Sequence, residues 1–221
     1  AHFPPYIEAR DSLVSGIAID MLKLMNNYQK KYKFVPVRTT ASTRHREFSA
    51  GRYDMSLFDN LSWGWENYDV EGSSIYFTRG EVYIALVKPG RDEVFFSNFK
   101  SKKMIGMRGY HYGFAAFNTN LEFLRPTYRM ELTESNLGSI KMILAGNRGD
   151  IAVVTQAYLN QYFHVHPKDR NKLLVSKKMD QEYHFVSVIR KGIKPSVTEL
   201  NQLIQRLEKN GSLPALWQKI E

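Results

Sequence analysis

The 221-residue sequence predicts an α/β protein of two similar lobes, each a mixed sheet flanked by helices, with a ligand cleft between them. The main observation is a duplicated pattern of helix, glycine, aspartate and strand. It occurs as AGRYDMSL at 50–57 and, with one more residue between glycine and aspartate, as AGNRGDIAVV at 145–154. The copies lie nearly a hundred residues apart, which is too far for a solenoid repeat and suits two lobes. Apolar strand segments at 81–87 and 182–186 can cross between the lobes.

The first part of the chain reads as an extended segment, a helix, a strand and a second helix. The prolines of FPPY at 3–6 hold the start open. Ser15 is expected to cap a helix with apolar residues at helical spacing. Phe34–Val37 is predicted to be a short strand, and a polar helix at 43–50 ends at Gly51, a residue type that tolerates the left-handed turn after a helix.

The later elements follow from the same signals. The sequence predicts strands at 81–87, 104–107, 151–154 and 182–189, a turn into a helix at 108–113, and helices at 137–144, 156–163 and 213–220. Ser196 and Glu199 form a capping box for a helix that ends at Gly211. The predicted lobes are 1–87 with 187–221, and 88–186.

Composition and charge narrow the class of protein. The chain is 43% hydrophobic and contains no cysteine, so it is predicted to fold without disulfides or thiol chemistry. The net charge is +9, but the basic residues are scattered in short groups, which favours a solvated surface over a nucleic-acid interface. No apolar run reaches the length of a membrane span, and any signal peptide is expected to have been removed.

Polar and aromatic residues crowd together after the strand that begins at Met55. They are Asp59, Asn60, Ser62, Trp63, Trp65 and Glu66. Ligands of open α/β sheets bind beyond the carboxyl ends of the strands, so this cluster is a candidate site. The alternative is that the tryptophans are surface-loop anchors packed on the core.

The order of these segments resembles the family 3 bacterial solute-binding proteins, the periplasmic receptors of amino-acid uptake systems and the sensor modules built from them. The resemblance covers nearly the whole chain. It rests on FPPY, GIAIDMLKLM at 16–25, AGRYDM at 50–55, the segment 73–76 before EVYIALVKPG, MRGYHYG at 107–113, AGNRGDIAVV, and LNQLIQRLEKNGSLPALWQKI at 200–220. It implies two α/β lobes joined by hinge strands, here near Val87–Gly90 and Glu182–Val186, that close over a small ligand.

The sequence departs from that family where charged groups would hold an amino acid. The resemblance places an arginine for the ligand carboxylate twelve residues after Asp54, where this chain has Glu66. It places an aspartate for the ligand ammonium five residues after Asp150, where this chain has Thr155. Asp59 stands in place of a small residue, and Trp63 in place of a threonine. The ligand is therefore expected not to be a standard α-amino acid.

The resemblance and these departures together define the predicted ligand-binding residues. In lobe one they are Phe3, Phe58, Asp59, Asn60, Leu61, Trp63, Glu66 and Tyr76; in lobe two they are Arg108, Gly109, Tyr110, Thr155 and Gln156. Phe3 either stacks on the ligand or belongs to the core. Glu66 either accepts from the ligand or pairs with an arginine such as Arg79. With Asp59 and Glu66 both in the cleft, a polar or cationic ligand is expected.

Three functions are consistent with the sequence. The first is a monomeric periplasmic binding protein that captures its ligand by hinge closure for an ABC-type transporter, with no cofactor. The second is a sensing or adaptor module that acts on a membrane signalling partner. The third is an enzyme on the same scaffold with Asp59 or Glu66 as acid/base, although no nucleophile elbow is present. His164 and His166 lack a third residue at metal-ligand spacing and are expected to be solvent-exposed.

Overall fold

The computed structural model describes residues 3–10 and 13–220. The chain divides into two compact units, Ala1–Thr78 with His184–Glu221, and Arg79–Tyr183. We call them unit 1 and unit 2. Both contain helices and strands, as the sequence predicts for two α/β lobes. None of the helices in the described ranges has both the length and the apolar composition needed to cross a bilayer.

The described part of unit 1 contains four α-helices and several short strands. The elements are β1 (Glu8–Arg10), β2 (Leu13–Ser15), α1 (Ile17–Tyr28), α2 (Arg44–Ser49), β3 (Met55–Asp59), β4 (Val70–Gly72), α6 (Val197–Lys209) and α7 (Ser212–Trp217). β1 and β2 form an antiparallel hairpin. β3 and β4 both pair antiparallel with the last part of β9 (Leu173–Arg190), with Met55 opposite Ile189 and Val70 opposite Arg190.

Unit 2 is a sheet with helices on its faces. Its elements are the main part of β5 (Phe77–Leu86), β6 (Met104–Met107), α3 (Leu121–Tyr128), β7 (Glu131–Thr133), α4 (Asn136–Leu144), β8 (Ile151–Thr155) and α5 (Gln156–Val165), with short 3₁₀ turns between them. β6 runs parallel to both β7 and β8. β5 is antiparallel to β8, with Glu81 opposite Thr155.

The two faces of the unit 2 sheet bury separate cores, because successive side chains of a strand point to opposite faces. Val82 and Ile84 of β5 join a cluster with α4 and α5. Tyr83 and Ala85 join a second cluster that contains Phe96 and residues of α3. The continuous apolar run of β5 is therefore explained by burial on both sides.

Two strands, β5 and β9, continue from one unit into the other. The unit boundaries fall at Thr78/Arg79 and Tyr183/His184, whereas the sequence-based boundaries were 87 and 186. The first boundary differs because Glu81 to Ile84 form a ladder with β8 and so belong to unit 2. The first unit boundary thus precedes Val87–Gly90, and the second is at Tyr183/His184; the position of the hinges stays a prediction.

The duplicated pattern is confirmed as two copies of one local structure. In unit 1, α2 is followed by Gly51 with φ 70° and then by β3. In unit 2, α4 is followed by Gly146 with φ 81° and then by β8. Both glycines adopt the left-handed conformation that ends a helix at low steric cost.

Three local predictions are corrected. α1 begins after Gly16, which has φ 103°, and Ser15 provides no side-chain cap. Phe34–Val37 lies in a stretch without helix or strand, because β3 pairs only with β9 among the described residues and not with this segment. After Arg108 the chain forms only a 3₁₀ turn at Gly113–Ala115 before α3.

Candidate functional site

β3 ends in a bulge that includes the predicted lobe-one residues Phe58 and Asp59. Its register with β9 shifts between Ser56 and Asp59, and Phe58 has φ 52°, a conformation that bulky side chains rarely adopt. The N–H of Phe58 donates to the Tyr76 hydroxyl at 2.7 Å, and that hydroxyl donates to the Val186 carbonyl at 3.3 Å. Tyr76 therefore braces the bulge against β9.

Asp59 is held by donors of unit 1 itself. Its Oδ1 accepts from the Trp65 indole at 3.0 Å and from the Asn60 N–H at 2.9 Å, and its Oδ2 accepts from the Ser56 hydroxyl at 2.7 Å. Arg44 Nε lies 3.7 Å from Oδ2, and both side chains are less than 10% exposed. The expectation that Asp59 presents a carboxylate to a ligand is corrected, because its lone pairs are already occupied within a buried ion pair.

The aromatic residues predicted for lobe one form part of the unit 1 core. Phe3, Phe58 and Trp63 are 8%, 2% and 8% exposed. Their rings contact one another and their neighbours; the centroid distances are 6.0 Å for Phe3–Trp63, 5.3 Å for Tyr6–Phe58 and 6.0 Å for Phe3–Phe185. The two Phe3 contacts are edge-to-face and the Tyr6–Phe58 contact is stacked, so these rings pack mainly on one another.

The predicted lobe-one residues that are not buried are Asn60, Leu61, Glu66 and the half-buried Tyr76 described above. The Asn60 side-chain carbonyl accepts from the N–H of Ser62 at 3.0 Å and from its hydroxyl at 2.8 Å, which forms a side-chain turn. Leu61 is 43% exposed, and Glu66 lies exposed in the turn after Trp65. Glu66 is thus the predicted acidic residue whose carboxylate remains accessible in unit 1.

His45 lies under this turn, and the sequence analysis did not single it out. Its ring stacks on Tyr68 at 5.3 Å and meets the edge of Trp65 at 4.6 Å. Burial, followed by the neighbouring Arg44 guanidinium, lowers the pKa of His45 to about 4. His45 is therefore neutral at pH 7 and belongs to the packing of the turn.

The predicted lobe-two residues lie at the carboxyl ends of the parallel strands of unit 2. β6 ends before Arg108, β7 ends at Thr133, and β8 ends at Thr155, so the parallel pairing brings these ends to one edge of the sheet. The N–H of Arg108 donates to the Thr133 carbonyl at 3.0 Å. This edge is where open α/β sheets bind ligands.

The loop after β6 is tightly turned. Gly109 has φ 78°, and the N–H of Tyr110 donates to the Met107 carbonyl at 3.3 Å. The Arg108 side chain is exposed and its Nε donates to Glu134 at 2.8 Å, so this arginine has an acidic partner within unit 2. The half-buried Tyr110 ring lies 6.4 Å from that of Tyr112.

Thr155 is fully buried at the junction of β8 and α5. Its N–H donates to Asn136 Oδ1 at 3.3 Å, and Asn136 Nδ2 donates to its hydroxyl at 3.4 Å. Gln156, the first residue of α5, is half-buried beside it. The resemblance implies an aspartate at this position, as partner of a ligand ammonium group. This chain has Thr155 there, a neutral residue whose hydroxyl is hydrogen-bonded to the Asn136 amide.

The sequence analysis did not single out two interacting carboxyl groups in unit 2, the buried Glu81 and the half-buried Asp180. Glu81, which is 1% exposed, accepts from Gln181 Nε2 at 2.9 Å. Asp180 accepts from the Tyr83 hydroxyl at 2.6 Å and from the N–H groups of Gly113 and Phe114 at 2.7 and 2.8 Å. The sequence indicates Glu81 only as a glutamate at the start of the apolar run EVYIALV. Its hydrogen-bond partner Gln181 lies a hundred residues away along the chain.

Burial is the main cause of the raised pKa values of Glu81 and Asp180. It raises the pKa of Glu81 to about 8, and the charge of Asp180 adds to the shift. Burial also raises the pKa of Asp180, although its three hydrogen-bond donors act in the opposite direction. Within the described residues, no three His, Asp or Glu side chains converge to hold a metal ion.

Comparison with known proteins gives the fold but no sequence family. No family model matches the chain, and no curated protein matches it. Solved structures match over nearly its whole length. One is a binding component of an ABC transporter from Wolinella succinogenes complexed with lysine, with TM-score 0.72, 13% identity, and coverage of 99% of this chain and 91% of the other.

Two further matches represent other uses of the fold. A histidine kinase sensor domain with similarity to periplasmic binding proteins matches with TM-score 0.73 and 14% identity over 98% of this chain and 91% of the other. An ancestral amino-acid-binding protein, AncCDT-1, a precursor of cyclohexadienyl dehydratase, matches with TM-score 0.68 and 17% identity over 100% and 91%. The chain has the two-lobed fold of periplasmic solute-binding proteins, as its sequence predicts.

Proposed function

We propose that this chain is a periplasmic solute-binding protein that captures a small polar or cationic molecule other than a standard α-amino acid. In this proposal, the two units close about the connecting strands β5 and β9, and the closed form is read by an ABC-type membrane transporter. The observation that carries the proposal is the fold, two α/β units connected by two strands. Binding proteins for ABC transporters are among the structures that share it.

The exclusion of amino acids is supported by charge. An α-amino acid needs a cationic partner for its carboxylate and an anionic partner for its ammonium group. Glu66 is an exposed carboxylate at the first position, and Thr155 is a buried hydroxyl bound to Asn136 at the second. Losing one charged, hydrogen-bonded partner typically costs about 2–5 kcal/mol of binding free energy, which is two to four decades of affinity.

Glu66 is the residue that supports a cationic or polar ligand. Asp59 is engaged by Arg44, Trp65 and Ser56 and leaves Glu66 as the acidic residue predicted for the site that is still accessible. One carboxylate suits a singly charged cation or a neutral molecule with several N–H or O–H donors better than a polycation.

Thermal unfolding with an amino-acid panel tests the proposal. We expect glutamine, histidine, arginine and glutamate at millimolar concentration to raise the melting temperature by less than about 1 °C, because a ligand stabilises the folded state by RT ln(1 + [L]/Kd), which is small when Kd exceeds the ligand concentration. Native mass spectrometry of the protein as purified should reveal a co-purified small molecule. A shift of several degrees with any of the four amino acids would contradict the proposed ligand class.

A sensing module is the second candidate, and the similarity to a histidine kinase sensor domain favours it. Such a module can signal through a membrane partner with or without a small ligand. An enzyme is a third possibility, supported by the similarity to a precursor of a dehydratase. Native mass spectrometry separates them: a transport receptor retains a ligand, an adaptor that has lost its ligand is empty, and an enzyme converts a candidate substrate on incubation.

A further inference from the structure

One face of the unit 2 sheet is covered by short elements. They are two 3₁₀ turns, Glu93–Phe96 and Phe99–Ser101, and the helix α3, which all contribute to the core cluster that contains Tyr83. The Arg129 guanidinium of the segment after α3 donates to the Ser101 carbonyl and joins the helix end to the second turn. The predicted ligand-binding residues lie outside these elements, and nothing in the proposed function requires them.

A series of ring contacts joins the second turn to α3. The ring centroids of Phe99 and Phe114 lie 5.5 Å apart, and those of Phe114 and Tyr128 lie 5.0 Å apart. The Phe123 ring lies 6.2 Å from that of Tyr128. Phe123 is 41% exposed and is the end of this series that reaches solvent. The elements over this face of the sheet therefore form one continuous layer.

The first turn presents apolar and basic groups side by side. The guanidinium carbon of Arg91 lies 3.9 Å from the centroid of the Phe95 ring, and Lys102 Nζ lies 4.5 Å from it. Both contacts are cation–π interactions, which hold the two cations over the ring. Val94, the neighbouring residue, is 72% exposed. This turn thus places an exposed apolar side chain beside two positioned cations.

Basic residues outnumber acidic residues on this layer. Asp92 accepts from the N–H of Val94 at 3.0 Å, and Glu93 is directed to β9, where it accepts from the N–H of Lys177 at 3.0 Å. Glu122 is exposed at the start of α3. The basic residues of the layer are Arg91, Lys100, Lys102, Arg125 and Arg129. We call the outer surface formed by Val94, Phe95, Lys100, Lys102, Phe123 and Arg125 the basic aromatic face.

We propose that the basic aromatic face binds the surface of a membrane that carries anionic phospholipids. The lysine and arginine groups would donate to the headgroup phosphates. Val94 and Phe123 would enter the boundary between headgroups and acyl chains, and the apolar stems of the basic side chains would lie beside them. An acidic protein partner matches the face less well, because lysine is depleted at protein interfaces.

Vesicle co-sedimentation of the full chain tests this proposal. We expect the protein to sediment with vesicles of phosphatidylglycerol and phosphatidylcholine in equal parts, and to stay in solution with phosphatidylcholine alone. Binding should fall when the salt is raised from about 0.1 M to about 1 M, because the Debye length falls from about 10 Å to about 3 Å. The assay contains no small ligand, so its outcome is independent of the proposed ligand class.

Charge-reversal variants locate the binding surface. Lys100→Glu combined with Arg125→Glu should weaken vesicle binding at least about tenfold, because each basic group near an anionic surface strengthens binding about fivefold. The matched control combines Lys141→Glu in α4 with Arg148→Glu in the loop after it. These residues are also exposed in unit 2, and α4 packs on the other face of the sheet, so this variant should retain binding.

A second pair of variants tests the apolar contribution. Val94→Ser should weaken binding at least about threefold, because it removes apolar surface that would leave water on binding. Val165→Ser is the control, since Val165 is 70% exposed at the end of α5, which packs on the α4 side of the sheet.

Three results would overturn the proposal. The first is absence of sedimentation with the anionic vesicles. The second is equal loss of binding in the two charge-reversal variants, which would show attraction by net charge without a defined face. The third is binding of poly-glutamate in solution without binding of vesicles, which would assign the basic aromatic face to an acidic protein.

Discussion

Asp59 and Arg44 form a buried ion pair that stabilises the turn after β3. The carboxylate also receives three hydrogen bonds, and Arg44 Nη2 donates to the Trp63 carbonyl at 2.9 Å. Asp59→Asn would leave Arg44 buried without a counter-charge. We expect it to reduce the free energy of unfolding of unit 1 by about 3–5 kcal/mol. Urea unfolding followed by tryptophan fluorescence measures it.

All three tryptophans lie in unit 1, so their fluorescence reports that unit. The control is Asp69→Asn, which removes an ion pair with Lys191 whose side chains are 82% and 55% exposed. That change should alter stability by less than about 1 kcal/mol. Equal effects of the two substitutions would show that the Asp59 pair is not buried as described.

Glu66 is the residue on which the proposed ligand chemistry depends most. We expect Glu66→Gln to weaken binding of the ligand recovered from the purified protein at least about tenfold, or roughly 1.4 kcal/mol, because a carboxylate accepts charge-assisted hydrogen bonds and an amide does not. His166→Ala is the control, since His166 packs against Tyr162 at the end of α5. Calorimetry that gives unchanged affinity for Glu66→Gln would remove Glu66 from the site.

At the scale of elements, α6 shows the capping box that the sequence predicts. The Ser196 hydroxyl accepts from the Glu199 N–H at 3.3 Å, and the Glu199 carboxylate accepts from the Ser196 N–H at 3.0 Å. Ser196→Ala should destabilise unit 1 by about 1 kcal/mol. Thr198→Ala, an exposed change in the same first turn, should be neutral or slightly stabilising because alanine has the higher helix propensity. Urea unfolding followed by tryptophan fluorescence measures the stability of both variants; equal stability of the two would contradict the role of the Ser196 cap.

Elements whose signals are local were predicted well from the sequence. The capping box and the left-handed glycines after α2 and α4 depend on residues within one turn of each other. Phe34–Val37 has the composition of a strand, but a strand also needs a partner, and the described part of the chain provides none. Local pattern thus identifies a strand former but not its pairing.

The surroundings of the candidate site residues, like the pairing of strands, depend on segments that are distant in the sequence. The apolar run 151–154 predicts the strand β8, and the resemblance places Thr155 at its end as a site position. The burial of Asp59 depends on Arg44, Ser56 and Trp65 converging from three segments, which composition does not reveal. The charge of Asp180 acts on Glu81 because β5 and β9 lie side by side in unit 2, where Tyr83 N–H donates to Ser176 Oγ at 3.0 Å.

At the scale of the whole molecule, the two units should respond oppositely to pH. In unit 1, the pKa of His45 is lowered to about 4. Between pH 4 and the ordinary histidine value near 6.5, the unfolded chain therefore binds more protons than folded unit 1. This residue makes unit 1 less stable as the pH falls through that range. In unit 2, the pKa of Glu81 is raised to about 8, and that of Asp180 is also raised.

The sign for unit 2 is reversed because the Glu81 carboxyl group keeps its proton to a higher pH in the folded state than in the unfolded chain. Between pH 4.5 and 8, folded unit 2 binds more protons at Glu81 than the unfolded chain does, so its stability falls as the pH rises. We expect the melting temperature of unit 2 in scanning calorimetry to fall from pH 5 to pH 8. Glu81→Gln, which keeps an oxygen acceptor for Gln181 but cannot ionise, should flatten that fall and be more stable than the wild type at pH 8. Glu122→Gln, an exposed change in α3, should leave it unaltered. Parallel pH profiles for Glu81→Gln and the wild type would show that Glu81 ionises normally in the folded protein.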